Sequence, residues 1–111
     1  MTVEDIDTVD FTAVDKASGE VFLVIVDHLD WDEKTELDHA WKLQEKLNAY
    51  LRFLESGEVY DSLPAARGKE IDIRVVGKYP LNEMGKAFFQ QAEKIIKGAG
   101  FRLKFELSTH D

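Results

Sequence analysis

The sequence predicts a mixed α+β fold, a two-layer sandwich in which two helices cover one face of a four-stranded mixed sheet. Three observations predict it. The 111 residues are 44% hydrophobic and 11% aromatic, which is a globular composition at a length typical of one domain. Two segments carry apolar residues at helical spacing, and four short segments alternate or are rich in β-branched residues. In chain order these segments read β-β-α-β-α-β. We expect one domain over residues 1–111, with flexible ends at 1–7 and 108–111.

The first two strands are predicted to pair as an antiparallel hairpin. Residues 9–15 alternate between apolar and polar positions, and residues 20–27 are rich in β-branched side chains. Gly19 ends the intervening turn, where a positive φ is expected.

The first helix is predicted from about residue 33 to residue 56. Asp30 or Asp32 can cap it, residues 30 and 33 or 35 and 38 have capping-box spacing, and Gly57 can end it in a left-handed conformation. Phe53 lies off the apolar stripe, so it is either an anchor for a partner or covered by the chain leaving the helix. The stripe predicted to face the core contains Leu37, Ala40, Leu43, Leu47, Tyr50, Leu51 and Leu54.

The second half of the chain is predicted to form a strand, a helix and a strand. Residues 58–69 are expected to be an irregular connection, residues 70–79 a strand, and residues 101–107 the last strand. Asn82 can cap a helix that runs to about Lys97. If the last two strands share a sheet, a right-handed parallel crossover joins them, while the strand order stays open. The helix face assigned to the core contains Met84, Phe88, Phe89, Ala92, Ile95 and Ile96.

The second strand is apolar on both faces, whereas one layer of helices can bury only one face. Val21, Leu23 and Ile25 occupy one side, and the other carries the remaining apolar residues. An exposed apolar patch of this kind favours homodimerisation or docking of a partner protein. The alternative is that a terminal segment or residues 58–69 fold across the patch. The candidate interface comprises Val14, Phe22, Val24, Val26, Val76 and the separate Phe53.

The charge pattern limits the classes of partner. Residues 1–66 carry 16 acids and 5 bases, residues 67–111 carry 6 acids and 9 bases, and the net charge is −8. This balance argues against nucleic-acid binding and fits a basic protein partner, or simply a solvated acidic surface. The longest apolar run has six residues, and the first ten residues hold four acids and no base. We therefore expect no membrane span and no targeting segment, and a cytoplasmic protein.

The loop after the second strand is the candidate ligand-binding site. Asp27, His28 and Asp30 could bind a divalent cation, and Trp31 could line a pocket. The alternative is that these acids cap the helix and favour its dipole. Glu36 and His39 match half of a di-iron pattern, which we discard because no second pair exists. The chain has no cysteine and no dinucleotide or phosphate-loop motif, so no cofactor is predicted.

Residues 27–31 and 43–58 resemble a family of small bacterial proteins known only as a domain of unknown function. The similarity extends from about Val9 over most of the chain. The resemblance implies a self-contained domain in a bacterial cytoplasm, and it implies no activity, cofactor or catalytic residue. The sequence therefore favours a non-enzymatic interaction module that self-associates, or an acidic, immunity-like partner of a basic protein. The alternative is a small metal-dependent or ligand-binding enzyme that uses the loop at residues 27–31.

Overall fold

The computed structural model describes residues 19–108 and the backbone of residues 11–14. The mixed α+β class is confirmed. A short 3₁₀ turn, Pro64–Ala66, precedes the third strand. The elements are β1 (Phe11–Val14), β2 (Val21–Asp27), α1 (Glu36–Glu55), α2 (Glu58–Ser62), β3 (Ile71–Gly77), α3 (Glu83–Gly98) and β4 (Arg102–Leu107).

The sheet has the order β1-β2-β3-β4. β1 pairs antiparallel with β2, while β2, β3 and β4 are parallel to one another. Successive parallel strands are added in one direction, so right-handed crossovers bring α1 and α3 to the same face. The core lies between these helices and that face, where Leu23, Ile73 and Val75 are completely buried.

The predicted element order is wrong in the connection between α1 and β3. Residues 58–69 were expected to be irregular, but α2 and the 3₁₀ turn lie there. Val59 and Ala66 are fully buried, and Phe53 packs half-buried against the same core cluster. The connection is structured because it closes the end of the core beneath α1. Residues 58–69 contain few apolar residues, so their packing against the core could not be predicted from the sequence.

Two residues predicted to face the core lie in solvent, and one lysine of α1 is buried. Leu37 is 73% exposed and Ile95 is 62% exposed, so their assignment to the core is wrong. Lys46 is completely buried, with its ammonium 5.7 Å from the centre of the Tyr50 ring. The buried face of α1 is therefore turned toward Lys46 and away from Leu37. This rotation leaves apolar side chains on the side of α1 that faces α3.

The predicted ends of the helices are confirmed in part. Gly57 has φ +84° after α1, and the side chain of Asn82 accepts a hydrogen bond from the Gly85 amide at 2.8 Å. The expected capping by Asp30 or Asp32 is wrong, because Thr35 is the N-cap residue and makes no capping hydrogen bond with its side chain. Asp32 instead accepts from the Lys34 amide in the turn before α1.

Gly77 provides a test of how closely β3 and β4 pack. An alanine Cβ at this position would lie 2.7 Å from the ring of Phe105, whereas one at Gly98 would meet nothing within 4 Å. Overpacking of this kind costs about 1–3 kcal/mol, so Gly77→Ala should lower the free energy of unfolding by that amount in urea titrations. The matched Gly98→Ala, near the end of α3, should leave it unchanged or raise it. Equal effects of the two variants would contradict the packing described here.

Candidate functional site

Asp27 and His39 form a buried pair at the carboxyl end of β2. Asp27 is the last residue of β2, and His39 lies in the first turns of α1. The His39 Nε2 atom is 2.6 Å from the Asp27 Oδ2 atom, and both residues are 1% exposed. The other carboxylate oxygen of Asp27 accepts from the Leu29 amide at 3.2 Å. Both oxygens of Asp27 are therefore engaged within the protein.

The partners of the imidazole ring determine where its protons lie. The His39 Nδ1 atom is 2.8 Å from the carbonyl oxygen of Asp30. A carbonyl oxygen only accepts hydrogen bonds, so Nδ1 carries a proton. A second proton lies between Nε2 and the Asp27 carboxylate, which makes the pair neutral overall. The arrangement thus avoids an unpaired charge in the core and fastens α1 to the end of β2.

Trp31 and Asn82 extend this connection to α3. The Trp31 ring stacks on the His39 ring with 3.8 Å between centroids. A Cβ at Gly85 would lie 3.1 Å from the same indole, so only glycine fits there without displacement. The Asn82 amide donates to the Trp31 carbonyl at 2.9 Å and to the Glu36 carboxylate at 2.6 Å. The loop after β2 is therefore held by side chains from both long helices.

The structure divides the predicted ligand loop between the interior and the surface. Asp27 and Trp31 are buried around His39, while His28 and Asp30 have exposed side chains. Among the residues that the structure describes, no group of three or more His, Asp or Glu side chains is placed to hold a metal ion. Ligand binding by this loop stays a prediction, and the loop has the geometry of a strand-to-helix connection.

The outer face of the sheet changes from apolar at β2 to charged at β4. Phe22, Val24 and Val26 are half-buried, and the guanidinium of Arg74 lies 4.1 Å from the centre of the Phe22 ring. Val76 on β3 is also half-buried. A cationic side chain therefore covers part of the surface that the sequence predicted to be exposed.

Two other residues of the predicted interface are placed differently. β1 pairs Val14 with Val21, but the side chain of Val14 lies outside the described residues. Phe53 belongs to the helix layer, away from Phe22. The predicted set therefore does not form one surface among the residues described, and the interface hypothesis for the outer face of β2 stays a prediction.

A buried acid organises the β4 side of the outer face. Asp72 is completely buried, and its carboxylate lies 2.5 Å from the Arg102 Nε atom and 3.4 Å from the Lys104 ammonium. The hydrogen bond and the charge of Asp72 raise the pKa of Arg102 above its ordinary value. Glu20 and Glu70 lie within 4 Å of the same guanidinium. An intramolecular network of ion pairs around the buried Asp72 therefore occupies this part of the face.

The helix layer contains a groove between α1 and α3 with a volume of about 470 Å³. Thirteen residues line it and none is charged, although 32% of the chain is charged. Gln44, Asn48 and Gln91 are its only polar lining residues. The exposed side chains of Leu37 and Ile95 belong to its wall. Further apolar lining comes from Leu51, Met84, Phe88 and Ala92.

Comparison with known proteins identifies a family. A family model matches residues 1–109. The chain belongs to the family of unknown function DUF6572. No curated protein and no solved structure matches it. The predicted resemblance to a domain of unknown function is thus confirmed, and membership of DUF6572 brings no activity or partner with it. No helix in the described part of this DUF6572 chain is both long and apolar enough to cross a membrane.

Sequence reasoning missed His39 and the groove, although signals for both exist. His39 lies four residues before Leu43, which places it on the buried face of α1. In the sequence, His39 was considered only with Glu36, as half of a di-iron motif. Its pairing with Asp27 was therefore not predicted. Gln44, Asn48 and Gln91 are uncharged polar residues among apolar neighbours on both helices. Such positions are typical of a surface that is neither core nor fully solvated.

The buried pair predicts a ranked series of stability effects. Asp27→Ala leaves His39 buried without its acid and should cost about 3–5 kcal/mol of unfolding free energy in urea titrations. Asp27→Asn should cost clearly less, because its amide can donate to Nε2 while its oxygen accepts from Leu29. The matched control is Asp38→Ala, which breaks an exposed pair with Lys42 and should cost about 1 kcal/mol or less.

This ranking separates a structural pair from a solvated one. If Asp27→Ala costs no more than Asp38→Ala, the Asp27–His39 pair does not fasten α1 to β2. If Asp27→Asn is as damaging as Asp27→Ala, the proton assignment on the His39 ring is wrong.

Proposed function

We propose that this protein is a non-enzymatic protein-interaction module that docks a protein partner through the groove between α1 and α3. One observation carries the proposal: the groove is lined by thirteen uncharged residues and has two strongly exposed aliphatic side chains, Leu37 and Ile95. Depletion of charge at the centre with charged residues around it is typical of protein interfaces.

The energetic argument rests on two exposed apolar side chains in the wall of one groove. Burying one leucine or isoleucine side chain stabilises a complex by about 1.5–3 kcal/mol. Leu37 and Ile95 would both gain this on docking. Trp41, which is 51% exposed, lies one turn after Leu37, and Arg52 is exposed on the same helix. Tryptophan and arginine are the residue types that most often dominate binding energy at interfaces.

The outer face of β2 is the second docking surface in this proposal. Its support is the apolar row of Phe22, Val24 and Val26, each half-buried. Part of this row is covered, because the guanidinium of Arg74 lies over the Phe22 ring. We therefore place the groove first.

The alternative of a metal-dependent or ligand-binding enzyme draws little support from the loop at residues 27–31. A catalytic carboxylate must reach its substrate. Asp27 is 1% exposed and both of its oxygens have partners inside the protein. A structural role for Asp27 accounts for these contacts without a ligand.

Photo-crosslinking at two neighbouring glutamines tests the proposal. Gln91 and Gln90 are both exposed on α3, but only Gln91 lines the groove. A photoreactive amino acid is placed at one position or the other in the full chain, in cells that naturally make the protein. We expect protein adducts from position 91 and few from position 90.

The mass of the adduct identifies the partner. An adduct of twice the chain mass of 12.7 kDa indicates a second copy. An adduct with one defined basic protein supports the immunity-like form of the proposal, for which the net charge of −8 is suited. Equal yields at positions 90 and 91, or no adduct at either, would overturn docking through the groove.

A further inference from the structure

The two ends of the groove differ in charge. α1 and α3 both follow parallel strands, so they run in the same direction along the sheet. Their first turns hold the acids Glu36, Asp38 and Glu83, and their last turns hold the bases Arg52 and Lys97. This arrangement follows the preference of helix dipoles for acids at the start and bases at the end. One end of the groove is therefore acidic and the other is more basic.

The loop before α1 and the end of α3 strengthen this polarity. Asp32 and Glu33 add exposed acids beside the first turn of α1, and Lys94 adds an exposed base near the end of α3. Glu55 and Glu93 lie near the basic end and reduce its charge. Glu58 at the start of α2 is a third acid beside the three bases Arg52, Lys94 and Lys97, so this end is close to neutral while the other end is acidic.

One ridge of α3 presents this polarity along the wall of the groove. Glu83 and Lys94 are eleven residues apart, which is roughly three helical turns, so they lie on the same side of α3. Between them on that side lie Ala87 and Gln91, both of which line the groove. Glu83 is 97% exposed, and its carboxylate lies 3.8 Å from the Lys86 ammonium. The ridge is thus acidic at one end, uncharged in the middle and basic at the other end.

We infer that the occupant of the groove is a second copy of this chain, related by a twofold axis that sets each long helix antiparallel to its own copy. The inference rests on the proposed function. An antiparallel arrangement places Glu83 of each copy opposite Lys94 of the other, so each ridge complements itself. The same rotation places Leu37 at the Leu51 end of the other groove. The uncharged lining lets two chains of net charge −8 approach with little repulsion there.

The size of the groove sets the expected strength of this dimer. Thirteen lining residues are fewer than the roughly 20–30 that each partner contributes to a standard interface. We therefore expect a reversible dimer in the micromolar range rather than an obligate one.

Charge reversal at the ends of the ridge tests the arrangement. Lys94→Glu and Glu83→Lys should each raise the dimer dissociation constant at least tenfold in sedimentation equilibrium, because each places like charges opposite one another. The double variant Glu83→Lys with Lys94→Glu should recover most of the affinity of the unchanged protein. The matched control is Glu93→Lys on the same helix, which lies away from the groove and outside the Glu83–Lys86 pair, and it should change the constant by less than threefold.

The outcomes separate this inference from the proposed function. A protein that stays monomeric at high micromolar concentration overturns the second copy as occupant. Crosslinks from position 91 to a different protein would then still support docking through the groove. If the double variant dimerises as weakly as the single variants, the antiparallel arrangement is wrong. Chemical denaturation of each variant checks that the fold is intact.

Discussion

The direction in which the parallel strands are added constrains the rest of the molecule. β2, β3 and β4 follow one another across the sheet, so both long helices must lie on one face. Two helices of this length cover that face but do not close against each other along their outer sides. The gap between α1 and α3 becomes an apolar groove, and the opposite face of the sheet is left to Phe22, Arg74 and their neighbours. The surface available for binding is thus a consequence of the topology.

The buried pair of Asp27 and His39 gives this layer its position. It joins the end of β2 to the start of α1, and Trp31 and Asn82 carry the connection to α3. Both helices therefore begin from the same point at the carboxyl end of the sheet and run in the same direction. Helix starts favour acids and helix ends favour bases, so the groove acquires one acidic end and one end that is more basic. The polarity that we use to infer a second copy follows from these local preferences.

Much of the fold could be predicted because its signals are local. The run of β-branched residues in β2, the Asn82 cap and the Gly57 terminator each depend on a few neighbouring residues. The rotation of α1 about its axis could not be predicted from its own apolar pattern. That pattern would bury Leu37 and expose Lys46, whereas packing against the sheet and α2 exposes Leu37 and buries Lys46. The pairing of His39 with Asp27 joins residues twelve positions apart across a loop. The groove depends on how closely α1 and α3 approach each other. The apolar periodicity of either helix alone does not predict that distance.

Intermolecular contacts between methyl groups test the central claim most directly. In a mixture of isotope-labelled and unlabelled protein, filtered nuclear Overhauser spectra report only contacts between different copies. We expect such contacts between the methyl groups of Leu37 in one copy and Leu51 in the other, because the antiparallel arrangement brings these ends together. Intermolecular contacts confined to Val24 and Val26, or none at concentrations where the dimer should form, would contradict the account.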